Sequence, residues 1–197
     1  MSFRDGNYKR EVTMMLAAKE YEIIEGVKYA MSPVGLSHSR VGSRLFFILG
    51  SLLLADGKSA EYEVVQDAWL ALANGGRIAP DIAVFRKPLR EIQDMAADVP
   101  VLVIEILSPS TGKKDKTTKK FLYEKIGVEE YWIVNPKDES VEAYQLRGAE
   151  YELADIYQKF HIDDWNYMSD EEKAEHAQII RLNFLGAEIN INEIFAD

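Results

Sequence analysis

The spacing of apolar residues along the chain changes from one segment to the next, and each spacing predicts an element. Val12, Met15, Leu16 and Lys19 fall on one side of a helix over about Lys9 to Lys19. Tyr21–Ile24, the pair Glu25-Gly26 and Val27–Met31 read as a β-hairpin. Pro33 and Gly35 interrupt the chain. Val41, Leu45, Ile48 (or Leu49) and Leu52 then recur at three and four residues, which predicts a long helix from Val34 to Ala55, ended by Asp56-Gly57. Glu61–Val65 and Arg77–Arg86 read as strands, the second entered through Asn74-Gly75-Gly76 and closed by Pro88. Val99–Leu107 is nearly continuous in apolar residues, as expected of a strand covered on both faces. After Ser108-Pro109-Ser110-Thr111-Gly112, a helix is expected over Lys114–Ile126, stopped by Gly127. Tyr131–Val134, Ser140–Gln145 and Tyr151–Asp155 read as short strands. Ser169 with Glu172 at capping-box spacing begins a short acidic helix through His176. Ile179–Phe184 and Ile189–Phe195 add a strand and a closing apolar clip.

This order predicts a mixed α/β (α+β) single domain rather than a doubly wound repeat. The 197 residues suffice for a sizeable core, and a hydrophobic content of 47% excludes a disordered chain. The absence of cysteine excludes disulfides, a thiolate nucleophile and cysteine-based metal centres. The longest apolar runs, residues 45–50 with 52–55 and residues 99–107, are too short to cross a bilayer, and the first ten residues hold no apolar signal core. A soluble, cytoplasmic protein with no membrane partner is therefore expected.

Net charge is −10, and it is uneven. Residues 150–197 carry −9, leaving −1 for residues 1–149. Bulk charge therefore cannot attract nucleic acid, and a local basic patch would be needed. Lys113, Lys114, Lys116, Lys119, Lys120 and Lys125 form one, diluted by Asp115 and Glu124; a merely solvated helix face is the other reading.

Asp81 and Glu105 are each the one ionisable group in an otherwise apolar stretch, IAPDIAVF and VLVIEIL. An ionised carboxylate buried there needs compensation. On neighbouring strands the two could share a hard divalent cation such as Mg²⁺; alternatively each pairs with its own cation, Arg77 or Lys119. Asp115, Lys119 and Tyr123 follow at i, i+4 and i+8 on the next helix, along one face. Lys119 could thus approach Glu105, with Tyr123 either contributing its hydroxyl or packing at the core edge.

Pro80-Asp81 followed by a strand ending in Glu105 resembles the PD-(D/E)XK nuclease superfamily. More specifically, PDIAVF, then VPVLVIEILSPSTGKKDKTTKKFLYEKIGVEEYWIVNP, resembles the Uma-type restriction-endonuclease family of bacterial proteins. YEIIEGVKYAMSP, the His38 helix and the closing NINEIF fit the same pattern, so the resemblance runs from about Tyr21 to Phe195. It implies a restriction-endonuclease-like core, a mixed sheet flanked by helices, as one domain over residues 1–197 with a variable acidic segment near 163–176. It also implies that Asp81 and Glu105 are metal-binding acids. The superfamily's lysine two residues after the glutamate is absent, since Leu107 stands there; the family's helix lysine matches Lys119. Glu25 and His38 match N-terminal positions near the site.

The expected activity is DNA phosphodiester hydrolysis with Mg²⁺ or Mn²⁺ held by Asp81, Glu105 and the Ile106 carbonyl, assisted by Lys119. Lys113, Lys114, Lys116 and Lys120 would contact DNA phosphates, and a homodimer would address two strands. The competing class is a catalytically inactive nuclease-fold module that binds nucleic acid or protein, a reading favoured by Leu107 and the acidic tail. A carboxylate-pair glycosidase is disfavoured, because no sugar-stacking aromatics group near Asp81 or Glu105 and Trp69, the nearest tryptophan, precedes a glycine loop.

Overall fold

The computed structural model describes residues 20–31, 33–108 and 112–196. The helix expected over Lys9–Lys19 and the Pro109-Ser110-Thr111 part of the loop after Glu105 lie outside the described residues. The chain runs through β1 (Tyr21–Ile24), β2 (Val27–Ala30), the helix α1 (Leu36–Ala55), β3 (Tyr62–Gln66), β4 (Leu70–Ala71), β5 (Arg77–Ile78), β6 (Ile82–Arg86), β7 (Glu91–Ile92), β8 (Met95–Ala96) and β9 (Leu102–Ile106). A continuous helical stretch, α2, follows over residues 112–126. Then come β10 (Glu130–Asn135), β11 (Ser140–Arg147), β12 (Glu150–Gln158), α3 (Ile162–Tyr167), α4 (Asp170–Ala174), β13 (Ile179–Leu182), β14 (Ala187–Asn190) and α5 (Ile191–Ile194).

The central sheet has the order β12-β11-β10-β9-β6-β3. β9 lies parallel to β10 and antiparallel to β6. All its residues are buried, as its apolar run requires. One face packs on α1 through Val41, Leu45, Leu49 and Leu53, together with Ile189, Ile191, Ile194 and Phe195 from the end of the chain. The apolar clip thus closes on its own sheet. The other face packs on α2 and a smaller sheet, β2-β1-β5-β4-β8-β7, through Val103, Leu122, Tyr123 and Tyr131. Truncating a leucine such as Leu45 or Leu49, at 0% and 1% exposure, to alanine costs ~2–5 kcal/mol. Among the described residues no helix is long and apolar enough to cross a membrane.

Three local features position the site. The first hairpin turns through Glu25 (φ 50°) and Gly26 (φ 80°), the left-handed pair that a tight hairpin requires. The expected single strand Arg77–Arg86 is instead two strands in different sheets, because Pro80 has no N–H to give a ladder. Asp81 consequently sits just before β6, at the junction of the two sheets, rather than inside a strand. Gly42 lets α1 approach the end of β9: a Cβ there would lie 3.2 Å from Ile106 Cδ1.

The capping box of Ser169 and Glu172 is present, although α4 ends at Ala174. Glu130, at the start of β10, ties the C-terminal hairpin to the core by accepting from the Asn183 N–H at 3.0 Å. Burial pushes its pKa up from 4.5 to about 7, against the pull of that hydrogen bond. The folded state therefore holds the proton more tightly than the unfolded chain, and stability falls as pH rises from about 4.5 to 7. Glu130→Gln keeps an acceptor for Asn183 and removes the charge. Its melting temperature should exceed the parent's at pH 8, by the equivalent of ~2–3 kcal/mol, and match it at pH 5 by scanning calorimetry.

Candidate active site

The β6–β9 register pairs Ile82 with Ile104, so Asp81 and Glu105 are the next facing positions toward the strand ends. Asp81 Oδ2 accepts from the Ile106 backbone N–H at 2.6 Å and meets His38 Nε2 at 3.2 Å. Glu105 Oε1 accepts from the Tyr123 hydroxyl at 2.6 Å and from Lys119 Nζ at 2.8 Å. Lys119 Nζ also lies 3.0 Å from Glu22 Oε1 and 3.8 Å from Asp115 Oδ1. Glu22 in turn accepts from Lys114 Nζ at 2.5 Å and from the Ala79 N–H at 3.3 Å. All the residues in these contacts except Tyr123, together with Ser108, line one cavity of about 60 Å³.

The helix carrying Lys119 is not regular. Asp115–Lys119 winds as a π-helix, with α-helical turns on either side. Such wide turns recur at functional sites, where they re-aim side chains. Here the turn sits against β9 with Asp115 and Lys119 both buried, and the Tyr131 hydroxyl pins it by donating to the Asp115 carbonyl at 3.0 Å.

The electrostatics are those of a carboxylate surplus. Among the described residues, Glu22, Asp81, Glu105 and Asp115 share the cavity with two ammonium groups, Lys114 and Lys119, with His38 alongside. Burial drives Glu105 well above the usual carboxylate range; Lys119 opposes this, while Asp81 and Asp115 add to it. Burial alone would lower the Lys119 pKa, yet Glu105, Glu22 and Asp115 together hold its ammonium charged beyond the usual range. Burial would also raise Glu22, but Lys119 and Lys114 outweigh it and keep this carboxylate ionised. His38 is pulled up by Asp81 against its own burial. Glu22, Glu105 and Asp115 thus share the Lys119 ammonium, and of Glu22 and Glu105 it is Glu105 that ionises less easily.

Of the residues singled out in the sequence, Asp81, Glu105, Ile106, Lys119, His38 and Tyr123 converge. Tyr123 is fully buried, and its hydroxyl reaches Glu105. Arg77 does not serve either acid: it donates to the Tyr21 carbonyl and stacks on Trp69. Glu25 sits in the exposed hairpin turn, paired with Lys125 at 2.9 Å, and does not line this cavity. The lysine cluster is mostly engaged within the protein. Lys114 holds Glu22, Lys116 donates to Glu142, and Lys120 lies 3.8 Å over the Tyr144 ring; Lys113 is exposed.

Glu22 and Asp67 are the site neighbours that the sequence reading missed. Glu22 shares the inward face of β1 with Ile24, and a carboxylate at that register position was the available signal. Asp67, at φ 53°, donates its N–H to the Asp81 carbonyl at 3.1 Å; burial and the Asp81 charge raise its pKa.

A mixed sheet flanked by helices, with paired acids and a lysine at the carboxyl end of a buried strand, defines a restriction-endonuclease-like α/β protein. The chain belongs to the Uma2 family, described as "Putative restriction endonuclease", which it matches over residues 11–164. It is also similar to the crystal structure of a "putative nuclease belonging to DUF820" from Anabaena variabilis ATCC 29413. That similarity has a TM-score of 0.68 and 18% identity, and covers 94% of this chain and 97% of the other. At that identity the likeness shows a shared fold. No curated protein matches the chain.

Proposed function

We propose that this protein is a metal-dependent endonuclease that hydrolyses DNA phosphodiester bonds at the Asp81–Glu105 pocket. The observation that carries this reading is the carboxylate surplus: four acids against two ammonium groups around one small cavity. The donor set fits a hard divalent ion. Asp81 Oδ2 and Glu105 Oε1 are held by protein donors, while Asp81 Oδ1 and Glu105 Oε2 accept no hydrogen bond among the described residues. Among the described residues no group of three or more His, Asp or Glu side chains is placed to hold a metal ion, so the two acids would act as a partial set. Mg²⁺ suits such a partial set, since it is bound through one or two carboxylates and keeps several waters.

Asp81, Glu105 and the Ile106 carbonyl would hold the ion. When bound, it would lower the pKa of a coordinated water and offset charge on the scissile phosphate. The chain's own groups do the rest. The Ile106 N–H and His38 fix Asp81; Tyr123 fixes the Glu105 rotamer. The Lys119 ammonium, anchored by Glu22, offers positive charge where a phosphate oxygen would gain negative charge. Lys119, held by Glu22 and Glu105, is the helix lysine that would stand in for the one missing at Leu107.

A second reading, an inactive nuclease-fold module, is favoured by the Lys119–Glu105 pair, which already neutralises part of the site. One assay separates the two. Supercoiled plasmid and short duplexes are incubated with Mg²⁺ or Mn²⁺ and, in parallel, with chelator. The nuclease reading expects nicking or cutting only with the ion present. Cutting in chelator would refute metal dependence, whereas no cutting together with no calorimetric Mn²⁺ binding tighter than about 1 mM would favour the inactive module.

A further inference from the structure

The lysines expected to contact DNA are largely spent on internal partners, so the cationic contact has to be sought elsewhere on this acidic chain. Seven arginines fall within the described residues, and six have oxygen partners. Arg44 donates to the Ile194 and Ala196 carbonyls, Arg77 to the Tyr21 carbonyl, Arg86 to Glu129, Arg90 to Asp98, Arg147 to Gln145 and Arg181 to Glu188. Arg40 alone makes no hydrogen bond, ion pair or ring contact among the described residues, and it is exposed.

Its position is specific. Arg40 lines a groove of about 480 Å³ with Ser37, Val41, Arg44, Pro136 and Glu139. Ser37 precedes His38, the Asp81 partner, in the first turn of α1. Pro136 lies two residues beyond Val134, the register partner of Ile106; Ser108, on the rim of the carboxylate pocket, lies two residues beyond Ile106. Groove and pocket therefore open at the same end of β9 and β10, strands ~5 Å apart. The acid in the groove, Glu139, is already held by Lys159 at 2.9 Å. α1 contains no Asp or Glu in its 20 residues. In a chain of net charge −10, this is a locally cationic face beside the acids that would cut. From Ser37 to Arg44 the helix rises ~10 Å, matching about three nucleotides of duplex at 3.4 Å each.

We propose that Arg40, with the Ser37 hydroxyl beside it, grips a nucleic-acid phosphate adjoining the one in the Asp81–Glu105 pocket, so that the substrate strand tracks along α1 rather than along the lysines of α2. This rests on the nuclease reading and names the substrate contact for the same site. Guanidinium is suited to the task, since its fork of donors matches phosphate oxygens bidentately.

The test is fluorescence anisotropy with a labelled DNA duplex in chelator, across about 50 to 200 mM salt, beside the plasmid assay with Mg²⁺. Arg40→Glu should weaken binding at least ~10-fold at the lowest salt. Arg40→Ala should reduce the slope of log affinity against log salt by roughly 0.9, the loss of one phosphate contact, and Arg40→Lys should restore that slope. Lys116→Ala should change the slope less than Arg40→Ala does. Melting temperatures of the Arg40 variants should match the parent, since the side chain is exposed and has no partner among the described residues. Binding and cutting by the parent, with Arg40→Glu and Arg40→Ala indistinguishable from it, would overturn the Arg40 assignment and leave the nuclease reading standing. No DNA binding by the parent would sink both. Weakened binding without any cutting would uphold Arg40 and sink catalysis.

Discussion

Glu105→Gln is expected to reduce metal-dependent DNA cutting by about 10³-fold, the scale of losing several kcal/mol of charge stabilisation at the reacting phosphate. Glutamine is close to isosteric, and its side-chain oxygen still accepts from Tyr123 and Lys119, which now donate to Glu105 Oε1. The fold should therefore survive, as far-ultraviolet dichroism and the melting temperature will show. What disappears is half of the anionic pair. Calorimetric titration with Mn²⁺ should show affinity lost alongside cutting, and Asp81→Asn should behave alike. The pair is chosen because each acid has one oxygen held by the protein, leaving the other for an ion. Should either variant keep both full cutting and full Mn²⁺ affinity, the acids are structural and the site is not catalytic.

Lys119→Met should destabilise the protein by ~3–5 kcal/mol at pH 8, because a buried ammonium is removed while its acid partners remain. Lys119 is 4% exposed and serves Glu22, Glu105 and Asp115 together. Without it, burial and repulsion from Asp81 and Asp115 hold the folded-state pKa of Glu105 still further above its unfolded value. For acids shifted upward, stability is present at low pH and lost as pH rises. The variant should therefore approach the parent's stability toward pH 5 and fall behind it by pH 8. Magnesium supplies a second readout. An ion that binds only the folded state stabilises it by mass action, and with the internal ammonium gone the pocket should bind it better. The rise in melting temperature with Mg²⁺ should thus be larger for Lys119→Met than for the parent. Equal stability at pH 8, or no difference in the Mg²⁺ effect, would refute the account of the pocket as an acid-rich cation site.

Much of the frame was legible before any coordinates. A run of apolar residues interrupted only by Glu105 can satisfy itself only as a strand covered on both faces, and β9 is that strand. The three-and-four spacing of Val41, Leu45 and Leu52 can bury one stripe only as a helix, and α1 lays that stripe on the central sheet. Glu25-Gly26 supplies the left-handed pair that a two-residue hairpin turn demands. Asp81 and Glu105 stood out for a thermodynamic reason, since carboxylates in apolar surroundings require a counter-charge.

Lys119 as the counter-charge of Glu105 was one of the readings the sequence left open; its sharing with Glu22 was not legible. Lys119 reaches both Glu105 and Glu22, and Glu22 also takes Lys114, 92 residues along the chain. Local periodicity carries no information about such separations. The π-helical turn that aims Asp115 and Lys119 inward arises where α2 packs against β9, not from any residue that announces it. Nor could the sequence tell engaged lysines from a free arginine, because that distinction depends on which acids lie within reach once the chain is packed.

By itself, then, the sequence determined which segments bury which faces, because burial pattern follows from local spacing and the cost of leaving apolar surface in water. Tertiary structure alone decided the charge arrangement: in the pocket Glu22 as anchor and Lys119 shared among three acids, and in the neighbouring groove Arg40 without a partner among the described residues. Coulomb interactions act through space, and only the folded chain sets those distances.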